Sequence, residues 1–192
     1  ELSANGRHEG TFRYLIGASD LKSEISHQID IAYFLSSRHI TFEFTPFVNF
    51  IQNYIYLERF VAEDGTEIIP DPSDPAPAFQ YTSGNARLLG GEVYIDIHPH
   101  PLDWLHLENS FSYVQAIQSN QPRSSRYLPF IPAPRYKGEI KAELKSINRT
   151  FSNGYIKFGI DHFFKQNRIY SAYGTETETS SYMLLNAGIG TD

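Results

Sequence analysis

Histidine is the residue type in this chain best suited to bind a metal, and three histidines lie close together in the sequence. His98 and His100 belong to the segment His98-Pro99-His100-Pro101, and His106 follows soon after. Imidazoles at positions i and i+2 of a strand share a face and can chelate a transition metal. The same segment also has the composition of a turn, because proline lacks the N–H that a strand ladder needs. Its place in the fold has to decide between the two interpretations.

Arginine and tyrosine side chains in two polar segments could bind an anionic ligand that carries aromatic groups. A guanidinium makes charge-assisted hydrogen bonds to anions, and aromatic rings add stacking and cation–π contacts. Packing within the loops would explain the same residue types, so both interpretations remain open. The candidate ligand-binding residues are Arg123, Arg126, Tyr127, Arg168, Tyr170 and Tyr173.

A third polar segment is acidic and could raise the local concentration of cations. A solubilised surface loop has the same composition, and we expect this simpler role. The acidic residues are Glu58, Glu63, Asp64, Glu67, Asp71 and Asp74.

Catalysis, cofactor binding and nucleic-acid binding find no support in the sequence. Ser, His and Asp do not occur at a spacing that predicts a nucleophilic triad. The chain has no Cys, which excludes a thiol nucleophile and a thiolate metal site. Its net charge is −6 and it contains no run rich in Lys and Arg, so the footprint of nucleic-acid binding is missing. We therefore expect no enzyme, no cofactor and no nucleic-acid partner.

The elements that must position these residues are strands, as residues 38–57 show most clearly. Apolar residues take every second position in this segment, and polar residues such as Glu43 and Asn49 fill most of the places between them. This alternation predicts a two-sided strand. Pro46 is the exception, because proline inside a ladder requires a local irregularity such as a bulge. The apolar parity also changes after Phe50, at a second place where a bulge could lie. The alternating apolar positions are Ile40, Phe42, Phe44, Pro46, Val48 and Phe50.

The same alternation recurs along the chain and predicts an all-β antiparallel, up-and-down meander of about seven long strands. Residues 1–20 are predicted to form a polar loop with several glycines. The strands are predicted near residues 25–33, 38–57, 79–97, 105–113, 136–147, 155–164 and 181–190.

Connection length distinguishes the two kinds of β-protein that this pattern allows, an outer-membrane barrel and a soluble sandwich. Short turns near residues 36, 100 and 150 alternate with long polar segments near 68, 124 and 173. Because antiparallel strands reverse direction, all long loops would lie at one end of the sheet. Outer-membrane barrels sort their loops in this way, with short periplasmic turns and long extracellular loops. The His98-Pro99-His100 segment then lies on the periplasmic side and is predicted to be a plain turn without a metal.

Strand length also favours a barrel. A strand of about ten residues, at ~3.3 Å per residue and a tilt of about 45°, covers on the order of 23 Å, close to the ~25 Å apolar band of outer-membrane barrels. Phe42, Phe44 and Phe50 would then face lipid, and Glu43 and Asn49 the lumen. The alternative is a soluble β-sandwich or β-sheet ligand-binding module, for example for carbohydrate, with the apolar face in a protein core.

Several segments in order resemble the C-terminal part of the barrel of TonB-dependent outer-membrane receptors. YLIGASDLKSE at 14–24 is similar to the family segment IGNxxLKPExS, with Ser23 where proline is usual. Together the segments span nearly the whole chain. The other segments that carry the resemblance are PFVNFIQNYI at 46–55, NARLLGGE at 85–92, LPFIPAPR at 128–135 and ETSSYMLLN at 178–186.

The resemblance implies a 22-stranded barrel in a bacterial outer membrane, closed around an N-terminal plug. It implies import of a scarce nutrient, most often an iron-siderophore or other metal chelate, with energy delivered by TonB. Residues 1–192 would be a single partial barrel domain, a fragment without the plug and the last strands. Its partners would be outer-membrane lipid, the cargo, and TonB through the missing plug region. The isolated fragment is expected to self-associate through its exposed edges and apolar face.

Overall fold

Strands make up most of the described chain in the computed structural model, which describes residues 2–3, 5–146, 152–174 and 176–191. A single 3-10 turn covers Glu9–Thr11. No helix among these residues is long and apolar enough to cross a membrane. The strands are β1 (Gly6–His8), β2 (Arg13–Ile16), β3 (Ile25–Asp30), β4 (Tyr33–Ser36), β5 (Ile40–Arg59), β6 (Ala78–Ile97), β7 (Leu105–Gln118), β8 (Arg135–Ser146), β9 (Ser152–Phe163) and β10 (Tyr182–Gly190).

The predicted all-β class is confirmed, and the long strands lie close to their predicted positions. The sheet order is β1-β2-β6-β7-β8-β9-β10, and β5 pairs with β3, β4 and β6. The long connections cover residues 60–77, 119–134 and 164–181, and the short ones cover 37–39 and 98–104. The predicted turn near residue 150, and the predicted end of a strand at residue 147, lie outside the described residues.

The expectation of a polar loop over residues 1–20 is wrong. Strands β1 and β2 form an antiparallel pair there, and β2 then pairs in parallel with the start of β6, with Leu15 opposite Phe79. Strands of three and four residues are too short for alternation to show in the sequence. The second partner of β2, strand β6, also lies far along the chain, so no local pattern indicates that pairing.

The first predicted strand is divided in two where it passes Pro46. Strand β3 ends at Asp30 and β4 begins at Tyr33, while β5 continues without a break from Ile40 to Arg59. The Ile31 N–H donates to the Pro46 carbonyl at 3.1 Å, which keeps the chain attached across the gap. Proline has no N–H to donate in return, so the interruption falls in the neighbouring strand.

A left-handed residue marks a second irregularity in β5. Asn53 has φ 55°, a backbone conformation that occurs at the bulges of some antiparallel pairs. It follows the change of apolar parity that the sequence places after Phe50. The Asn53 side-chain amide donates to the Ser23 carbonyl at 3.1 Å, which stabilises the conformation.

The chain divides into two compact units, the first comprising Glu1–His27 and Phe50–Ala86 and the second Gln28–Asn49 and Arg87–Asp192. In the first unit the buried apolar side chains lie just before β6 and in its first half, at Ala76, Ala78, Phe79 and Ala86. In the second they are Ala116, Leu128 and Tyr170. These sets are small, and most apolar residues of the described sheet are therefore not buried inside the protein.

Strands β7 to β10 place apolar residues of successive strands side by side. Leu107 lies opposite Ile140, Ile140 opposite Phe158, and Phe158 opposite Ala187. Ile140 is 55% and Phe158 60% exposed, so this row forms an open apolar face. The other parity carries His106, Lys141, Glu139 and Lys157. The predicted two-sided pattern is therefore present as two chemically distinct faces of one sheet.

Candidate functional site

The long loops 119–134 and 164–181 pack against each other at one end of β7 to β10. The Ser171 N–H donates to the Ser124 carbonyl at 2.8 Å, and the Gln166 side-chain amide donates to the Ile131 carbonyl at 2.8 Å. Gln166 is buried, and its backbone also bonds to Thr179 across the base of its own loop. We call these two packed segments the loop platform.

Arg123, Arg126 and Tyr127, which the sequence predicts to bind ligand, occupy the first loop of this platform. Arg123 and Arg126 are exposed, and Tyr127 is half-buried. The guanidinium carbon of Arg126 lies 5.4 Å from the centre of the Tyr127 ring, a cation–π distance. This arrangement presents positive charge and an aromatic ring together.

Arg168, Tyr170 and Tyr173 belong to the second loop, and their exposure differs. Tyr170 is only 8% exposed and packs edge-on to Tyr173, with ring centres 5.5 Å apart. Arg168 donates to the hydroxyl of Tyr113 and lies 4.6 Å from the centre of that ring. Tyr113 belongs to β7 and was not among the predicted residues, because nothing in its own strand marks it as a partner for a distant arginine.

The acidic loop between β5 and β6 uses several carboxylates to shape its backbone. Asp64 accepts a hydrogen bond from the Thr66 N–H, and Asp71 accepts from the Ser73 N–H, both at 2.9 Å. Hydrogen bonds from the side chains of Thr66 and Ser73, and then from these backbone N–H groups, lower the pKa of both carboxyls below its ordinary value. Turn formation therefore accounts for two of the six acidic residues.

Two other acidic residues of this loop pair with arginines. Arg59 contacts Glu67 at 2.5 Å, and Arg7 forms an ion pair with Asp74. These pairs agree with the expectation that the acidic segment is an ordinary surface loop.

The histidines assemble at the opposite, short-turn end of β6 and β7. His98 Nε2 lies 2.6 Å and His106 Nδ1 3.0 Å from the same oxygen of Asp96, and the two imidazole centres are 4.2 Å apart. His100 lies elsewhere, 5.6 Å from the His39 ring and 3.7 Å from Asp103. The turn thus brings His98 to His106, and the pair suggested by i, i+2 spacing does not form.

The polar face of β8 to β10 carries a ladder of ion pairs. Arg135 donates two hydrogen bonds to one oxygen of Asp161, at 2.6 and 3.1 Å, and Asn186 donates to the other oxygen at 3.1 Å. Lys157 contacts Glu139 at 3.2 Å. A charged and polar face of this kind is what lines the water-filled interior of outer-membrane barrels.

Comparison with known proteins identifies the architecture to which these features belong. The sequence matches the family described as "TonB dependent receptor-like, beta-barrel" over residues 1–192. The chain belongs to this family. Membership of the TonB-dependent receptor barrel family explains the exposed apolar face, the charged polar face and the alternation of short and long connections. A soluble sandwich would not explain the exposed apolar face.

Among solved structures, the chain resembles the copper transporter OprC with a TM-score of 0.65 and 16% sequence identity. The match covers 87% of this chain and 23% of OprC, so the chain spans under a quarter of that protein. At this identity the likeness concerns the fold. Members of the TonB-dependent receptor family are receptors and transporters, which agrees with the expectation that the chain is not an enzyme.

Proposed function

We propose that this chain forms part of an outer-membrane receptor that imports an iron-siderophore or another metal chelate with energy delivered through TonB. Membership of the TonB-dependent receptor family supports nutrient import across an outer membrane. The likeness to a copper transporter is in keeping with a metal-containing cargo. In this proposal TonB contacts a plug region, and the strands of this chain contact lipid.

The loop platform is the observation that carries the proposal for cargo binding. It presents two exposed arginines, Arg123 and Arg126, beside the half-buried ring of Tyr127. Long extracellular loops are where outer-membrane receptors first meet their cargo, and ferric siderophores offer anionic oxygens and often aromatic rings. Tyr173 supplies a second, half-buried ring, which the buried Tyr170 contacts edge-on.

Charge at the platform can be tested by direct binding. The full gene product, purified in detergent, is titrated with a panel of ferric siderophores that differ in charge, and with neutral glycans. The double variant Arg123→Gln/Arg126→Gln is expected to bind an anionic chelate at least ~10-fold more weakly, because each charge-assisted hydrogen bond contributes about 1.5–3 kcal/mol.

Lys165→Gln is the matched control, because it removes one exposed positive charge from the same platform. Lys165 pairs with Glu178 at 2.6 Å and lies outside the arginine group. Its affinity for the chelate should stay within about twofold of the wild type. Equal losses in the control and the double variant, or binding only of neutral glycans, would contradict a role for Arg123 and Arg126 in recognising a metal chelate.

A further inference from the structure

We propose that Asp96, His98 and His106 form a binding site for one divalent transition metal ion of the Zn²⁺ type at the short-turn end of β6 and β7. The site lies in the second compact unit and on the polar face of the sheet. It does not depend on the proposed cargo, because its ligands come from the chain itself and the loop platform lies at the opposite end of β7.

The donor atoms already converge. One ligand atom from each of the three residues lies within 4.8 Å of the other two, and the two imidazole nitrogens approach one Asp96 oxygen at 2.6 and 3.0 Å. Ligands of a tetrahedral zinc lie ~3.3 Å apart when the metal–ligand bonds are ~2.0 Å long. The two nitrogen–oxygen distances therefore need to lengthen by about 0.3–0.7 Å to admit the ion.

The environment of the second carboxylate oxygen of Asp96 indicates that this carboxylate binds a further group. Asp96 is only 7% exposed, and within the described part of the chain its Oδ1 atom is buried and receives no hydrogen bond. Leaving a buried carboxylate oxygen unpaired is costly, whereas a metal ion would neutralise the whole group. Two hydrogen-bonded histidines satisfy Oδ2 only, so simple hydrogen bonding does not account for this atom.

The surroundings of His106 match those of a metal-bound histidine. Its Nδ1 faces Asp96, and its Nε2 faces a carboxylate oxygen of Glu143 at 3.6 Å. Glu143 is in turn held by Lys141 at 2.6 Å. Ligating histidines commonly direct their other ring nitrogen at a carboxylate, which fixes the ring and its tautomer. Glu143 is thus a positioning residue for His106.

The donor set indicates the class of metal. Two imidazoles and one carboxylate suit zinc and the neighbouring transition metals, while calcium and magnesium prefer oxygen ligands alone. The order of ligands also fits a rigid site, since Asp96 lies near the end of β6 and His106 near the start of β7. A bound ion would fasten these two strands at the base of their connecting turn.

Metal titration of the full gene product tests the site. The protein, without a polyhistidine tag, is stripped with a chelator in detergent and titrated with Co²⁺, then with Zn²⁺ as competitor. Visible absorption reports coordination, and elemental analysis after dialysis gives the number of ions bound. No siderophore is present, so the outcome is independent of the proposed cargo.

His106→Gln is compared with His100→Gln, a matched change in the same turn region that leaves the three ligands intact. We expect His106→Gln to lose one equivalent of metal, and His100→Gln to retain it. Glu143→Gln should keep the equivalent but bind it about 10–100-fold more weakly, as expected for a residue behind a ligand. Heat-modifiable gel mobility verifies that each variant is folded.

Two results would overturn the site. One is a wild-type protein with the same number of bound ions as a folded His106→Gln variant. The other is an X-ray absorption spectrum of the zinc-loaded His98→Asn variant that shows as much imidazole scattering as the spectrum of the zinc-loaded wild type. If His106→Gln fails to fold, the His98→Asn comparison decides alone.

Discussion

Gly91 is a position where the absence of a side chain sets how closely two strands approach. A Cβ atom at this position would lie 2.9 Å from the Pro46 Cα and 3.0 Å from the Thr45 carbonyl oxygen, both backbone atoms that cannot move aside easily. Gly84, in the same strand, has room for a Cβ, which would meet only the edge of the Tyr56 ring at 3.5 Å. Pro46 is therefore accommodated from both sides, by the gap between β3 and β4 and by this glycine.

We predict that Gly91→Ala lowers the free energy of unfolding by about 1–3 kcal/mol, the usual cost of overpacking. Gly84→Ala should change it by less than about 1 kcal/mol. Urea titration of the full gene product in detergent micelles, followed by tryptophan fluorescence or gel mobility, measures both. Similar values for the two variants would contradict the close approach of β6 to Pro46.

The carboxyls of Asp64 and Asp71 provide a prediction about pH. Hydrogen bonds from Thr66 to Asp64 and from Ser73 to Asp71 favour the charged form and lower the pKa of each carboxyl from 3.8. Because the pKa is lower in the folded state, ionisation of these carboxyls stabilises the loop turns at pH values above the pKa of the unfolded state. This contribution is lost as the pH falls below 3.8 and through the folded pKa.

Carboxyl chemical shifts of ¹³C-labelled aspartate should give titration midpoints below 3.8 for both residues. Ser73→Ala should raise the midpoint of Asp71 and leave that of Asp64 unchanged, since Ser73 bonds only to Asp71 in this turn. A midpoint of Asp71 that does not respond to Ser73→Ala would refute the assignment.

At the scale of the element, the alternation within β9 predicts which substitutions a membrane would reject. Phe158 lies on the apolar face, in a row with Ile140 and Ala187. Tyr155 lies on the other face, where Lys141 approaches its ring at 5.5 Å and Glu143 lies opposite in the register. The two aromatic residues belong to the same strand and differ in the face that they occupy.

Under the proposed membrane placement, Phe158→Arg is expected to destabilise the full receptor by up to about 2–4 kcal/mol, the largest cost of a cation on the lipid face of an outer-membrane barrel. Tyr155→Arg should cost less than about 1 kcal/mol, because the new cation faces Glu143 and a polar lumen. Urea unfolding in lipid vesicles compares the two. A larger cost for Tyr155→Arg would reverse the assignment of the two faces.

At the scale of the whole molecule, the chain leaves an apolar edge available for association. Within the described residues β10 pairs with β9 alone, and its Leu185 and Ile189 are 76% and 82% exposed. Unpaired strand edges and exposed apolar faces both promote association of chains.

The isolated chain of residues 1–192 should therefore form oligomers in water and disperse in detergent. Size-exclusion chromatography coupled to light scattering measures this. The double variant Leu185→Asp/Ile189→Asp should reduce the oligomer size, whereas Ser181→Asp, which adds a charge just before β10, should not. A monodisperse monomer without detergent would contradict this expectation.

Short-range patterns in the sequence predict much of this architecture. Alternation of period two places Phe42 and Glu43 on opposite faces without reference to any other strand, and proline-rich or polar runs locate the connections. Six of the seven predicted strands and the alternation of short and long connections follow from these short-range patterns. The family resemblance was also confirmed, and it depended on the ordered set of segments together with the strand polarity, because each segment is weak by itself.

Tertiary structure alone decided which distant residues meet. Register between β6 and β7 brings Asp96 and His98 to His106, where the sequence suggested His98 and His100. Packing of the second loop left Tyr170 buried and placed Arg168 against Tyr113 of β7. Pairing with β6 turned part of a predicted loop into β2. Such contacts depend on how strands align across a sheet and on how loops pack, and neither is encoded within the few residues that a local pattern spans.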